Sequence, residues 1–442
     1  MGTMDFLLIS ARWILPITPQ NQILERHALV ICGEYIIDLL PLEKAKKKYR
    51  AAHYLNLEDH ILMPGLVNAH THTPMNLFRG LADDLELLDW LQKHIWPAEK
   101  ALINAESVRT GTELAIAEML RGGITCFNDH YFFHDTIAQV ASEAGIRACV
   151  GVLVMNISTE FAKDEETYLS HAKETLAKSE DCPLISWSLA PHAPYTVSDT
   201  ALKEIIKLSE QYNLPIHMHI HETKHEIEQA LHEYGKRPLT RLHDLGLLSK
   251  RLIAVHMTQL TPEEIELVQK TQTNVVHCPE SNLKLASGIA PIAKLIRAGV
   301  NVAVGTDGAA SNNDLDLLGE IRTAAFIAKV SGTDPTHLPA EEAIKMATLN
   351  GAKALGLEGK IGSLEIGKLA DIIALDLSSY LTQPVFNPIS HLVYATNRLQ
   401  VSDVWVGGKQ LLKQGEFTKL DIKRILKDSL KWANQALLFK CC

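Results

Sequence analysis

Residues 61–73 read ILMPGLVNAHTHT, an apolar run of strand length that ends abruptly in His70-Thr71-His72. A continuous apolar run is typical of a strand buried on both faces, as the strands of a parallel sheet are. The polar residues then mark the carboxyl end of that strand. The segment therefore predicts a buried parallel strand, Ile61–Ala69, that carries two imidazoles at its end.

The same pattern recurs along the chain. Amphipathic segments with helical periodicity, such as 107–123 and 136–145, separate further apolar runs, and several of them end at the Gly expected after a helix C-terminus. This alternation indicates parallel βα units. A doubly wound open sheet is the alternative, but no GxGxxG motif follows an early strand. We predict a (β/α)8 TIM barrel whose further strands lie at 124–128, 146–154, 185–190, 215–220, 252–255, 274–276 and 301–305.

Both ends of the chain have a different texture, in which short apolar runs alternate with turn residues. The start reads MGTMDFLLISARWILPIT, and the tail contains SDVWVGGKQLL. These patterns predict small strands that combine into one β-sandwich domain. The predicted organisation is an N-terminal part of that domain at 1–60, the barrel at 61–360, and a C-terminal part with a terminal helix at 361–442.

Composition excludes several classes of protein. The chain has 442 residues, of which 46% are apolar and 21% charged, as in an ordinary globular protein. Its net charge of −9 provides no general cationic surface, so we expect no nucleic acid partner. No stretch reaches about 18 uninterrupted apolar residues, so we expect no transmembrane helix and no membrane partner.

Seven cysteines are scattered through the sequence, and none forms a CxxC pair. An odd number without close spacing favours neither a disulfide framework nor a thiolate metal cage. We therefore expect a reducing, cytoplasmic environment. The cysteines are Cys32, Cys126, Cys149, Cys182, Cys278, Cys441 and Cys442.

Imidazoles gather at the carboxyl ends of the predicted strands. One histidine at a strand end is usually a satisfied polar residue, but here histidines follow or end six of the eight strands and an acid follows the last. Because barrel enzymes carry reactive groups at this face, the repetition predicts a site there. The residues are His70 and His72, His130, His192, the group His217, His219 and His221, then His256, His277 and Asp307.

The spacing of these residues favours a metal site. In His70-x-His72 the two-residue period of a strand sends both imidazoles to one side, where they can share a cation. By the same period the three histidines of HMHIHET share a face, so spacing alone leaves open which one is a ligand. Asp307, in VAVGTDGAASNN, is either a ligand that also exchanges protons or a simple turn aspartate.

Imidazole and carboxylate ligands without thiolate suit zinc, with ferrous iron as the chemical alternative. Such a cation lowers the pKa of a bound water from about 15.7 towards about 7, which makes that water a nucleophile.

Over nearly its whole length the chain resembles the amidohydrolase superfamily. Its pattern of HxH after strand one, His after strands five and six, and Asp after strand eight is matched by His70, His72, His219, His256 and Asp307. Members with two metals carry a lysine at the end of strand four, where this chain reads ISWSLAPHAPYT. The resemblance therefore implies one divalent ion per chain.

Within the superfamily, several stretches are similar to the 5-methylthioadenosine/S-adenosylhomocysteine deaminases. They include MPGLVNAHTHTPMNLFRG, IWPAEK, APHAPYT, HMHIHET, NLKLASG and GTDGAASNN. The similarity selects His219 as the strand-five ligand and Glu222 as a catalytic residue. It also implies that Glu99 contacts ribose hydroxyls and that His192 contacts the substrate. Arg147 is a candidate for binding an amino-acid tail, although it opens a strand.

The implied reaction is hydrolytic deamination of an adenosine at C6, giving the inosine analogue and ammonia. Glu222 would donate a proton to N1, Asp307 would carry the proton of the water to the leaving amine, and His256 would orient the water. The expected partner is a small nucleoside, with assembly into a homo-oligomer left open. The alternatives are a related deaminase or chlorohydrolase acting on guanine, cytosine or a triazine, and a catalytically dead binding protein.

Overall fold

The computed structural model describes residues 6–19, 22–49, 53–178 and 182–440. The predicted first residues of the N-terminal domain, 1–5, lie outside the described residues, as do Cys441 and Cys442.

Eight parallel strands form the central sheet, and each pairs with its neighbour in chain order. The sheet closes where the ends of the first and last strands meet, because the Asp307 N–H donates to the His70 carbonyl at 3.1 Å. The predicted (β/α)8 barrel is thus confirmed. Barrel strands 1 to 8 are Leu66–Thr71, Ile124–Tyr131, Arg147–Val154, Ile185–Pro191, Ile216–Ile220, Leu252–His256, Asn274–His277 and Val302–Val304.

Helices cover the outside of the barrel, and several begin at polar caps that the sequence supplies. Asn104 and Thr261, for example, each form a capping box with the third residue of their helix. Within the described chain, we find no helix with both the length and the apolarity needed to cross a membrane. The helices are Leu42–Lys48, Leu87–Trp90, Trp96–Leu102, Ala105–Arg121, His134–Ala144, Glu165–Lys178, Asp199–Tyr212, Lys224–Tyr234, Pro238–Asp244, Pro262–Thr271, Pro279–Lys284, Ile292–Arg297, Leu317–Gly332, Ala340–Met346, Leu349–Ala354, Pro388–Tyr394 and Ile422–Lys440.

The two ends of the chain build a second sheet together, as the sequence predicts. It is one continuous mixed sheet of eight strands, in which strands from the two ends meet at its centre. The domain boundaries at residues 60 and 360 stay a prediction. In spatial order the strands are Glu416–Phe417, Lys409–Lys413, Val401–Val406, Ile372–Asp376, His53–Pro64, Phe6–Ile14, Leu24–Cys32 and Tyr35–Pro41.

The prediction of one strand over Ile61–Ala69 is wrong in one respect, because these residues belong to two strands in two different sheets. Residues up to Pro64 end a strand of the terminal sheet, and barrel strand 1 begins at Leu66. Gly65 is the crossing point: its N–H donates to Asp371, whereas that of Leu66 donates to Gly123 of the barrel. A Cβ on Gly65 would lie 2.0 Å from the Thr125 hydroxyl oxygen, so only glycine fits at this crossing.

Candidate active site

Four predicted metal ligands meet at the carboxyl end of the barrel. His70 and His72 come from barrel strand 1, His219 from strand 5 and Asp307 from the loop after strand 8. One ligand atom from each lies within 4.8 Å of all the others. Oδ1 of Asp307 is 3.2 Å from Nε2 of His70 and 3.1 Å from Nε2 of His72. The arrangement has the donor types and the convergence that a divalent ion needs. We call these four residues the metal-ligand group.

The outward nitrogens of these imidazoles are already engaged. Nδ1 of His72 donates to the His130 carbonyl at 2.5 Å, and Nδ1 of His219 donates to the His192 carbonyl at 2.8 Å. These bonds fix the tautomer of each ring and leave the Nε2 lone pairs directed at the centre of the group. Metal-ligating histidines are commonly held in this way, so the residues present fit a metal ion.

Asp307 is held as a carboxylate by its surroundings. Burial raises its pKa, but the neighbouring imidazoles of His70 and His72 outweigh burial and keep the pKa well below its usual value. Its Oδ2 accepts hydrogen bonds from the hydroxyls of Ser281 and Ser311, at 2.6 and 3.0 Å. One oxygen thus faces the metal-ligand group while the other is fixed by two hydroxyls.

The structure separates the three histidines of barrel strand 5. His219 faces the metal-ligand group, whereas His217 lies deeper, with its Nε2 2.8 Å from Nδ1 of His70. His221 follows the end of the strand at Ile220, with a φ of 56°. The expectation that His221 shares their face is therefore wrong, because the strand period stops before it. Its Nε2 instead accepts a hydrogen bond from the Leu239 N–H at 3.2 Å.

Glu222 and His256 face each other beside the metal-ligand group. Oε2 of Glu222 and Nε2 of His256 are 3.8 Å apart. Nδ1 of His256 donates to Oδ1 of Asn282 at 2.8 Å, so its Nε2 keeps a lone pair towards the pocket. Burial raises the pKa of Glu222, which favours the protonated form that a general acid requires.

The sequence interpretation missed Glu226, which is 4% exposed and holds the backbone under Glu222. Its two carboxylate oxygens accept the N–H groups of His221 and Glu222 at 2.9 and 2.8 Å. The T-x-x-E pattern of Thr223 and Glu226 predicts a capping box. In the structure Thr223 does cap the helix Lys224–Tyr234. Glu226 binds the N–H groups of the two residues before Thr223 instead of the N–H of Thr223 itself.

Glu99 and His192 line the pocket above the metal-ligand group. Glu99 lies on the helix Trp96–Leu102 and accepts the Tyr131 hydroxyl at 2.6 Å, and burial raises its pKa to about 7. Nδ1 of His192 is 2.9 Å from the Thr196 hydroxyl oxygen, and burial lowers the pKa of His192 to about 3. The pocket therefore presents a carboxyl group that titrates near neutrality and a neutral imidazole.

Arg147 does not reach this pocket. It is the first residue of barrel strand 3, at the opposite end of the barrel. Its Nε and Nη2 donate to the Asp371 carboxylate at 2.9 and 3.1 Å, and its Nη1 donates to the Pro183 carbonyl. Of the two roles open to Arg147, tail binding and a structural one, its contacts support the structural role, because it joins the barrel to the terminal sheet.

Comparisons with known proteins agree with this geometry. Residues 61–411 match the amidohydrolase family. A 5-methylthioadenosine/S-adenosylhomocysteine deaminase of Teredinibacter turnerae is 44% identical, with 97% of each chain covered. A 5'-deoxyadenosine deaminase of Methanopyrus kandleri is 42% identical, covering 86% of this chain and 87% of that protein. The crystal structure of an adenosine deaminase from Xanthomonas campestris with bound zinc superimposes with a TM-score of 0.96, at 48% identity over 98% of this chain and 99% of that one.

Proposed function

Since the chain belongs to the amidohydrolase family, we propose that it hydrolyses the C6–N bond of 5-methylthioadenosine and S-adenosylhomocysteine. The products are the inosine analogue and ammonia. The relatives are named for substrates that share an adenosine core and differ at the 5' carbon, which supports adenosine as the common element. The observation that carries the proposal is the group His70, His72, His219 and Asp307 beside the buried carboxyl of Glu222.

In this proposal the four ligands hold one zinc ion per chain, with ferrous iron as the chemical alternative. The zinc in the Xanthomonas campestris structure and the His/His/His/Asp donor set support this choice. When bound, a divalent ion supplies the Lewis acidity that makes a water nucleophilic near neutral pH. His192 stands where members with two metals carry a lysine, which supports a single ion.

Side chains of the protein transfer the protons in this reaction. As water adds to C6, Glu222 donates a proton to N1 of the ring, and its raised pKa keeps that proton available. Asp307, a carboxylate with one oxygen towards the ligand group, accepts one proton of the water and passes it to the leaving amine, which departs as ammonia. The second proton of the water leaves the C6 hydroxyl as the carbonyl forms and returns to Glu222, which restores the acid. His256, fixed through its Nδ1 by Asn282, orients the water through its Nε2.

Two further residues position the substrate. The Glu99 carboxylate accepts hydrogen bonds from the ribose hydroxyls, with its orientation set by Tyr131. His192 is neutral at physiological pH and contacts the substrate through the nitrogen that Thr196 leaves free. A neutral ring there adds no second positive charge beside the cation.

A substrate panel tests the proposal. We expect ammonia release from 5-methylthioadenosine, S-adenosylhomocysteine and adenosine, and far less from guanine or cytosine. Faster turnover of either free base than of every nucleoside would overturn the substrate assignment. Failure of the zinc-loaded protein to release ammonia from any of these compounds would overturn the reaction itself.

A further inference from the structure

Part of the wall of the active-site pocket comes from the long loop after barrel strand 1. Leu87, Trp90 and Leu91 line the pocket, and all three lie within residues 79–91 of that loop. We call residues 79–91 the cover segment. Because three lining residues belong to it, the position of the cover segment sets part of the shape of the pocket.

Trp90 connects the pocket wall to the middle of the cover segment. Its Nε1 donates to the Ala82 carbonyl at 3.1 Å. Trp90 and Ala82 are 4% and 8% exposed, so water does not compete strongly for this bond. Asp83 is the next residue along the chain. A contact that fixes Asp83 therefore also fixes the residue to which the indole is bonded.

Lys284 provides such a contact. It is the last residue of the helix Pro279–Lys284, which follows barrel strand 7, and its Nζ donates to Oδ1 of Asp83 and to Oδ1 of Asn313. Asn313 lies in the loop after barrel strand 8, and its backbone carbonyl accepts a hydrogen bond from Nη1 of Arg79 at 2.9 Å. The side chains of Lys284 and Asp83 are 23% and 35% exposed. Lys284 therefore joins three neighbouring loops of the barrel mouth at a partly shielded position.

The helix that ends in Lys284 is also bonded to the catalytic groups. The Ser281 hydroxyl donates to Oδ2 of Asp307 at 2.6 Å, and Oδ1 of Asn282 accepts from Nδ1 of His256 at 2.8 Å. These bonds hold the helix without any contribution from the lysine. The helix is therefore a fixed point against which the cover segment is held.

Resting on the function proposed above, we propose that Lys284 is a positioning residue for substrate binding. Its ammonium group holds the cover segment against the catalytic helix, so that Trp90 stays in place over the bound nucleoside. Loss of the ammonium leaves Asp307 and His256 oriented, because their bonds to the helix remain. The middle of the cover segment is then released, and the substrate is bound less tightly but converted at nearly the same rate.

Lys284→Met tests this separation of binding from turnover. Methionine keeps an unbranched apolar side chain but donates no hydrogen bond. With 5-methylthioadenosine we expect KM to rise by about 10-fold, as for the loss of charge-assisted hydrogen bonds at a partly exposed position. We expect kcat to stay within about 3-fold of the wild-type value, because the lost interaction is made equally before and during the reaction.

Lys294→Met is the matched control. Lys294 is exposed on the next helix, Ile292–Arg297, so its replacement should change KM and kcat by less than about 2-fold. A fall in kcat with an unchanged KM in Lys284→Met would overturn the proposal, because the lysine would then act on the catalytic groups and not on the cover segment.

Asp83→Ala tests the same contact from its other partner. If Lys284 acts through Asp83, the double variant should raise KM no further than Lys284→Met does, since either change already breaks the pair. Effects on KM that multiply in the double variant would show that the two residues act separately, and would overturn the proposal.

Hydrogen exchange provides a measurement that does not depend on catalysis. We expect the backbone amides of the cover segment to exchange about 10-fold faster in Lys284→Met than in the wild type, while those of the helix Pro279–Lys284 keep their rate. If the melting temperature falls but KM and exchange stay at the wild-type values, Lys284 only stabilises the fold and the proposal is refuted. If the zinc-loaded wild type releases no ammonia from any nucleoside, the proposed function fails, and the exchange rates alone then decide whether Lys284 holds the cover segment.

Discussion

Replacing Glu226 by Gln tests whether the turn beneath Glu222 is held by a carboxylate. In the structure two oxygens of Glu226 accept two backbone N–H groups, at 2.9 and 2.8 Å. A carboxamide has one oxygen, so it can accept only one of these N–H groups and must direct its own N–H₂ towards the other. The variant therefore loses one hydrogen bond from a backbone N–H to a carboxyl oxygen. Burial raises the pKa of Glu226 to about 8, so this bond is charge-assisted, and worth about 1.5 to 3 kcal/mol, at a pH above that value, where Glu226 is ionised.

If that energy holds Glu222 where N1 of the ring is protonated, its loss lowers kcat by roughly 10- to 150-fold. KM should change little, because Glu226 is not among the residues that line the pocket. Metal content should also be unchanged, because the recorded hydrogen bonds of Glu226 involve none of the four ligands. The measurements are steady-state ammonia release with 5-methylthioadenosine, elemental analysis and thermal unfolding.

Glu228→Gln is the matched control on the same helix. Its side chain is 59% exposed and pairs with Lys224 in solvent, so kcat should stay within about 2-fold of the wild-type value. The reasoning is refuted if Glu226→Gln lowers the melting temperature but leaves kcat unchanged. Glu226 would then stabilise the fold without positioning Glu222.

Further outcomes are expected for the metal content, for variants of the site residues and for the pH dependence. Elemental analysis should find one divalent ion per chain, and two would contradict the single site. Glu222→Gln should retain the metal but lose roughly 10²- to 10⁴-fold in turnover, and near-normal activity would exclude it as the proton donor. His219→Gln should lose much more metal than His217→Gln, and the reverse order would exchange their roles. Glu99→Gln should lower kcat/KM for nucleosides by roughly 10- to 150-fold but spare weak activity on adenine. In the wild type, kcat/KM for nucleosides should fall as the pH drops through about 7, because Glu99 then gains a proton. The Glu99→Gln variant should not show this fall.

Sequence patterns predicted most barrel strands to within a residue or two, because the strands are continuous apolar runs bounded by polar residues. The prediction of the first strand, Ile61–Ala69, was wrong for a local reason. Residues 61–69 are apolar throughout, and hydropathy alone does not reveal that Gly65 moves the chain from one sheet to another. The prediction that His221 shares a face with His217 and His219 was wrong for a similar reason, because the two-residue period holds only while the strand continues.

For the candidate site too, the sequence predicted some residues and missed others. The positions of His70, His72 and Asp307 at strand ends predicted that they lie at one face, because strand ends converge there in a barrel. Position alone left Asp307 open between a ligand and a turn aspartate. The proposed role of Glu99 depended on family resemblance, since nothing local distinguishes it from another helix carboxylate. Glu226 was missed because the backbone groups that it holds take their positions only in the folded turn.

The crossing at Gly65 also has consequences for how the chain folds. Strand His53–Pro64 pairs with Ile372–Asp376, so the strands that meet there are separated in sequence by the whole barrel. Contacts of such high sequence separation form late, because a long loop must first be closed. Until then the apolar residues of His53–Pro64 remain an open sheet edge, the kind of surface on which chains aggregate. Premature termination before Ile372 would therefore remove four strands from the second sheet and also leave this aggregation-prone edge directly before the strand that carries His70.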